Sequence, residues 1–241
     1  MGSPIPAIKE DRFERAIERL LDDSWLKIRR LPKAQVVESL WAHFTELRLW
    51  NPKLSLIGPG TAHEILDRHY GESLVALSLM EDTDQSLVDL GSGGGFPGLV
   101  LAASAGLRVS LVEPRQRKCL FLLAALRRMQ SLGSGQDLHG QRLTCSVLQT
   151  KVENPLPPQL RLPYPVDLYT SRALALSPDI FAALHQRSPE ARLLLWVGAE
   201  NERHLLDSRI TSLYERGRAV KLSKSGGRNI LELLPRRSRS A

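Results

Sequence analysis

Hydrophobic positions along this chain follow two different rhythms, and the change comes near residue 85. Between residues 7 and 80 the apolar side chains recur at three- and four-residue spacing, as in Val36, Val37, Leu40, Phe44 and Leu47, and again in Ile65, Leu66, Tyr70, Leu74 and Leu77. That spacing predicts amphipathic helices, with Pro32 and the pair Asn51-Pro52 expected to interrupt them. Beyond residue 85 the chain offers short β-rich runs at 86–90, 108–113, 143–148, 166–170, 191–197, 217–222 and 229–234. The first five alternate with helical stretches, which predicts a parallel, doubly wound sheet with helices on both faces. The last two have no helix between them and read as a closing hairpin, with Ser225-Gly226-Gly227 near its turn. The prolines from Asn154-Pro155 to Pro163-Tyr164-Pro165 exclude a helix or central strand there and predict an extended connector beside the cleft. Residues 131–135 read as a loop, and the chain from Pro235 onward as loose.

A chain of 241 residues is long enough for one large α/β domain, or one domain with an appendage, and buries a substantial core either way. Its 33 Lys and Arg against 26 Asp and Glu leave a formal charge of +7, which favours a polyanionic partner. Basic side chains gather at Arg115, Arg117 and Lys118, at Arg127 and Arg128, and at Arg236, Arg237 and Arg239. They suit phosphate contact and suit a solvated helix face with a loose tail equally well. Cys119 and Cys145 lie in apolar stretches without metal-ligand or disulfide spacing, so no metal is expected and both read as small core residues. Charges interrupt Ile17–Leu31, and no apolar run reaches membrane-spanning length, so a cytoplasmic protein without a membrane partner is expected.

The chemistry concentrates where the first β-run, Leu87-Val88-Asp89-Leu90, meets Gly91-Ser92-Gly93-Gly94-Gly95-Phe96-Pro97-Gly98. A buried strand that breaks into a glycine loop and opens a helix leaves room for a ligand against bare backbone and offers free N–H groups. The dinucleotide fingerprint would need glycine at 96, where this chain has Phe96, so a pyrophosphate ligand fits poorly. Asp89 and then Glu113, each at the end of its own strand, suit S-adenosylmethionine instead. Asp89 would take the amino-acid end, directly or through water, and Glu113 both ribose hydroxyls.

These residues, together with Trp50-Asn51-Pro52-Lys53-Leu54, His69-Tyr70-Gly71-Glu72-Ser73 and Thr170-Ser171-Arg172-Ala173, resemble the bacterial small-subunit ribosomal RNA guanine-N7 methyltransferases, also called glucose-inhibited division protein B. The similarity runs from about Leu40 to Leu233. It implies a class I methyltransferase sheet of strand order 3-2-1-4-5-7-6, a helical cap over 1–80, a methyltransferase domain over 81–235 and a basic flexible tail over 236–241. It also implies S-adenosylmethionine as donor, N7 of one guanine in 16S ribosomal RNA of the small subunit as acceptor, and a monomer. Carried over by position, Gly91, Gly93, Phe96, Pro97 and Gly98 form the donor loop, Glu113 holds the ribose, Val152 and Glu153 lie at the adenine, and Arg172 stands beside the reaction centre. The chain departs from the family at Ser55-Leu56-Ile57, Lys151 and Val197-Gly198, all near the acceptor side.

Guanine N7 carries a lone pair and no proton, so its methylation is a direct displacement that needs alignment and no general base. Arg172 and Lys151 would then hold RNA phosphates or the guanine O6 edge. For Phe96, Tyr164 and Tyr169, core packing or loop anchoring outweighs base stacking, and His69 reads as a satisfied structural histidine sharing a helix face with Glu72. Three other readings stay open at this point: a methyltransferase of the same fold with another nucleotide or a small molecule as acceptor, a non-catalytic RNA-binding assembly protein, and, least favoured, an NAD-dependent oxidoreductase.

Overall fold

A computed structural model describes residues 4–22, 31–132, 143–162, 164–172, 174–222 and 227–236. Among them, seven strands form one sheet: β1 Ser86–Leu90, β2 Arg108–Val112, β3 Cys145–Leu148, β4 Leu168–Arg172, β5 Arg192–Val197, β6 Tyr214–Lys221 and β7 Asn229–Pro235. Their order is β3-β2-β1-β4-β5-β7-β6, as the resemblance implies. β1 pairs in parallel with β2 and β4, and β7 runs antiparallel between β5 and β6. All five residues of β1 are buried, because a central parallel strand is covered on both faces and so reads as a continuous apolar run.

The helices are α1 Glu10–Asp22, α2 Lys33–Leu54, α3 Glu72–Val75, α4 Gly98–Ala105, α5 Gln116–Leu132, α6 Pro178–Arg187, α7 Ala199–His204 and α8 Ser208–Thr211. A 3-10 turn over Pro59–Glu64 and a π-helical turn over Ile65–Gly71 lead into α3. Phe13, Ile17 and Leu21, four apart on α1, are buried against α2 and the π turn. The N-terminal helices share one apolar cluster with α4, α5 and the α4 face of the sheet. At its centre Phe13 stacks on Phe44 at 4.9 Å and meets Tyr70 edge-on at 5.3 Å. Every residue of α4 is buried, so that helix lies sandwiched between the sheet and the N-terminal helices.

The structure moves several expected boundaries. α5 runs on through Ser131 and Leu132, and a 3-10 turn over Pro158–Leu160 interrupts the expected extended connector. Pro235 is no loose end but closes β7 opposite Tyr214, with Arg236 N donating to Leu213 O at 2.8 Å. Asn51-Pro52 does not interrupt α2: Pro52 lies inside its last turn and the helix ends at Leu54. Proline removes only one ladder bond there, and the end is secured elsewhere: Ser55, at φ 49°, donates its N–H to Asn51 O, and the Asn51 side chain accepts from Ile57 N. β4 starts and ends two residues later than the 166–170 run: beside β1, Asp167 N donates to Ser86 Oγ at 3.1 Å and the Asp167 carboxylate accepts from Gln85 N and Ser86 N, so side-chain bonds stand there in place of backbone pairing. β6 starts at Tyr214, earlier than residue 217, and a register shift between Arg216 and Ala219 conceals its period. The expectations for Ser225-Gly226, 133–135, Pro163, Ala173, Arg237 and Arg239 lie outside the described residues.

Candidate active site

β1 runs straight into the loop 91–97, where Gly91, Gly93 and Gly95 take φ values of 83°, 50° and 84°. L side chains rarely adopt such angles. Gly95 is required on a second count, because a Cβ there would stand 2.8 Å from Leu99 Cδ1 and 2.9 Å from His43 Nε2. The loop is stitched to β2 by the N–H groups of Gly91 and Ser92, both donating to Val112 O at 2.9 Å.

The two carboxylates predicted from the strand ends converge on this loop from different sides. Glu113, just beyond β2, accepts from Gly93 N at 3.0 Å and from Arg115 N at 3.0 Å. Asp89 lies beneath the loop at 1% exposure. Its Oδ1 accepts from Thr170 Oγ1 on β4 at 2.8 Å, while its Oδ2 is buried with no hydrogen-bond partner. Burial pushes the Asp89 carboxyl up to about 6, against the opposing pull of its hydrogen bonds and Arg172. Gly98, at the start of α4, is pressed on the same group: a Cβ there would come 2.6 Å from Asp89 Oδ2. An orphaned buried oxygen, a bare-backbone loop and a second carboxylate fit a ligand that carries a cation and a diol. Leu174, following β4, lies over Gly91, where a Cβ would meet its Cδ2 at 3.4 Å.

The remaining predicted residues are placed as follows. Phe96 and Pro97 are buried, and the Phe96 ring faces the N-terminal helices, 5.0 Å from His69 and 5.1 Å from both His43 and Tyr70. The ring is therefore packed away from the cleft mouth, and the loop meets any ligand there through its backbone. Tyr164 bonds Ser110 Oγ and lies under the Arg108 guanidinium, and Tyr169 bonds Ser188 Oγ; both anchor structure. Val152 is half-buried, whereas Lys151 and Glu153 are exposed and pair with each other at 3.4 Å. Arg172, at the end of β4, is half-buried, its side chain 10% exposed: its Nη2 donates to Glu72 Oε2 at 2.9 Å and to Arg68 O at 2.7 Å. His69 bonds Thr61 Oγ1 at 2.9 Å, a satisfied structural histidine as expected. Glu72 reaches the carboxyl end of the sheet from the helical segment above it.

Sequence reasoning missed three participants. Thr170 stands in the Thr170–Ala173 motif that carries the resemblance, but nothing in the sequence announced its bond to Asp89. His43 falls on the buried stripe of α2 between Leu40 and Leu47; its Nε2 lies 3.0 Å from Gly94 O and its Nδ1 2.9 Å from the Tyr70 hydroxyl. Burial lowers His43 to about 4; burial and then the nearby arginines lower His69 to about 3. Both are neutral at pH 7. Arg228, immediately before β7, donates from Nη2 to Glu72 Oε1 at 2.7 Å, and nothing in its local sequence announces that partner.

Comparison with known proteins shows the family and the fold. The family model described as GidB, rRNA small subunit methyltransferase G, matches residues 36–231. The ribosomal RNA small subunit methyltransferase G of Desulfotalea psychrophila is 33% identical over 177 residues, covering 71% of this chain and 74% of that protein. Its namesake from Gluconobacter oxydans is 37% identical over 126 residues, 52% of this chain and 55% of that one. Among solved structures, MtNAS in complex with MTA and tNA superposes with a TM-score of 0.56 at 16% identity, over 93% of this chain and 82% of that chain. The E81Q mutant of MtNAS in complex with S-adenosylmethionine gives 0.53 at 15% identity, over 92% and 83%. At such identities the likeness is one of fold.

Proposed function

Because this chain belongs to the GidB family of small-subunit rRNA methyltransferases, we propose that it methylates N7 of a guanine in 16S ribosomal RNA, using S-adenosylmethionine. The observation that carries this reading is the convergence of Glu113 and Asp89 on one glycine loop. When bound, the donor supplies an electrophilic methyl group on a cationic sulfur.

Glu113 orients the ribose. Each of its oxygens already accepts one backbone N–H, and a carboxylate oxygen has a second lone pair to offer. Asp89, buried below the loop, contributes negative charge toward the amino-acid end of the donor. Val152 and Glu153 flank the adenine, and Arg172 and Lys151 lie on the acceptor side. The buried histidines 43 and 69 stay neutral and bonded to the protein, which suits a displacement at N7 that calls for no proton transfer. Alignment of N7 with the transferring methyl is then the main task, and orientation of this kind is worth up to roughly 7–11 kcal/mol in well-oriented model reactions. Among the described residues no helix is long and apolar enough to cross a membrane, and a ribosomal RNA substrate places the working protein in the cytoplasm.

The test is methyl transfer from labelled donor into naked 16S RNA, isolated small subunits and whole ribosomes, followed by mapping of the modified base. Label at N7 of a single guanine supports the reading; donor binding without transfer to any of the three refutes it. The same map separates the runner-up, another nucleotide as acceptor. That reading draws on Ser55-Leu56-Ile57, a departure from the family that lies on the loop: a Cβ at Gly94 would come 3.1 Å from Leu56 O.

A further inference from the structure

Three structural elements deliver charged side chains to one point at the carboxyl edge of the sheet. Arg172 ends β4, paired in register with Trp196 of β5. Arg228 precedes β7, whose first residue Asn229 pairs with Val197 at the end of β5. Glu72 opens α3 and is fixed there by the Trp196 indole, which donates to Glu72 O at 3.2 Å. The single Glu72 carboxylate is divided between the two guanidiniums, Oε2 to Arg172 Nη2 at 2.9 Å and Oε1 to Arg228 Nη2 at 2.7 Å.

Two cations on one carboxylate leave both charge and donors over. Arg172 Nη1 and Arg228 Nε are buried with no hydrogen-bond partner, although buried guanidinium N–H groups are ordinarily paired. Arg172 has its other bond to a neutral carbonyl, Arg68 O. Burial is the largest cause that lowers both His69 and Arg172; beyond it, Arg68, Arg172 and Arg228 lower His69 further, and for Arg172 the opposing pull of Glu72 is met by Arg228 and Arg68, with Asp89 weaker still. The Arg172 side chain is 10% exposed and that of Arg228 25%, so solvent reaches the cluster from the Arg228 side.

We propose that Arg172 and Arg228, held apart by Glu72, form a subsite for one singly charged oxyanion. The inference rests on the methyltransferase reading and names what the arginines receive. Two oxyanions of suitable charge come to such an enzyme, the phosphodiester of the RNA acceptor and the carboxylate at the amino-acid end of the donor. Both present paired oxygens that match a guanidinium fork.

The experiment compares wild type with Arg228→Gln and Arg228→Lys. Calorimetry gives the affinities for S-adenosylmethionine and for its decarboxylated analogue, and salt titration gives the affinity for 16S RNA, with thermal midpoints recorded alongside. If the donor carboxylate is the occupant, Arg228→Gln loses about tenfold or more for S-adenosylmethionine and almost nothing for the decarboxylated analogue. If a phosphodiester is the occupant, donor affinity holds, RNA affinity falls about tenfold and the salt slope shrinks by roughly 0.7–0.9. Arg228→Lys, which keeps the charge and loses the fork, falls between wild type and Gln in either case. The proposal is overturned if both variants bind all three ligands within twofold of wild type. It is equally overturned if all three affinities fall together with the thermal midpoint, since the cluster is then a brace between helix and sheet. A wild-type protein that binds neither donor nor RNA refutes the methyltransferase reading itself, and the subsite falls with it.

Discussion

Asp89 carries the clearest consequence of burial at a single residue. Its carboxyl, ordinarily near 3.8, is raised to about 6 in the fold, so the folded protein binds that proton more tightly than the unfolded chain. Its contribution to stability is therefore full below about pH 4 and is lost as pH rises to about 6, by roughly 3 kcal/mol at 1.36 kcal/mol per unit. His43 works in the opposite sense. Lowered from 6.5 to about 4, it loses stability as pH falls through that interval. The signature of Asp89 is thus the difference between wild type and Asp89→Asn in urea melts from pH 4 to 7: the variant gains on wild type as pH rises, and a constant difference would mean an unperturbed carboxyl. A cationic donor favours the ionised group, so donor affinity is expected to strengthen as pH rises through about 6 in wild type, and to do so less in Asp89→Asn. Glu113→Ala removes the proposed ribose acceptor together with the partner of Gly93 N. We expect donor binding weaker by about 1.5–3 kcal/mol, the scale of a hydrogen bond to a charged group, read by calorimetry; unchanged affinity would take Glu113 out of that role.

Among the elements, α4 shows how closely the site is built into the core. Its first residue, Gly98, is clamped between Leu111 of β2 and Asp89 of β1, so the turn from loop to helix has no space for a methyl group. Gly98→Ala should destabilise the protein by about 1–3 kcal/mol through overpacking and weaken donor binding as well, because the displaced atoms include the Asp89 carboxylate; a chemical-denaturation series with parallel calorimetry reads both. At Gly227 a Cβ would meet nothing within 4 Å, so a side chain there is disfavoured by φ 87° alone. α2 and the π turn press on the loop from its other side through His43 and the aromatic rings around Phe96. That contact explains why the Phe96 ring packs against the helices above the loop.

Across the whole molecule, the sheet's carboxyl edge carries the site, while a separate charged cluster joins β5, β7 and β6 to the chain entering β1. Arg192 binds Asp84 with both oxygens at 2.8 and 2.7 Å and also binds Glu232, which in turn receives Arg218 at 2.8 Å. Removing one member of a buried ionic group leaves charge without a partner, which costs about 3–5 kcal/mol. Arg192→Met should lower stability by that amount in denaturant melts, and donor affinity at temperatures where the protein remains folded should stay close to wild type. A loss under 1 kcal/mol would show that the cluster is solvated and not structural.

Sequence alone determined much of this protein, because its signals are local. Short β-rich runs located the strands to within a few residues, their alternation with helices dictated a doubly wound sheet, and Asp89, the alternate glycines and Glu113 marked the candidate site by chemistry and spacing. The resemblance supplied the strand order and the family. Tertiary structure decided the rest, since it concerns partners far apart in the chain. Glu72 meets Arg172 and Arg228 across separations of 100 and 156 residues, and Thr170 reaches Asp89 across 81. Phe96 turns into the core because the N-terminal helices cover it. Apolar period records which face of an element is buried; which charge or ring waits on the other side is set only when the layers close.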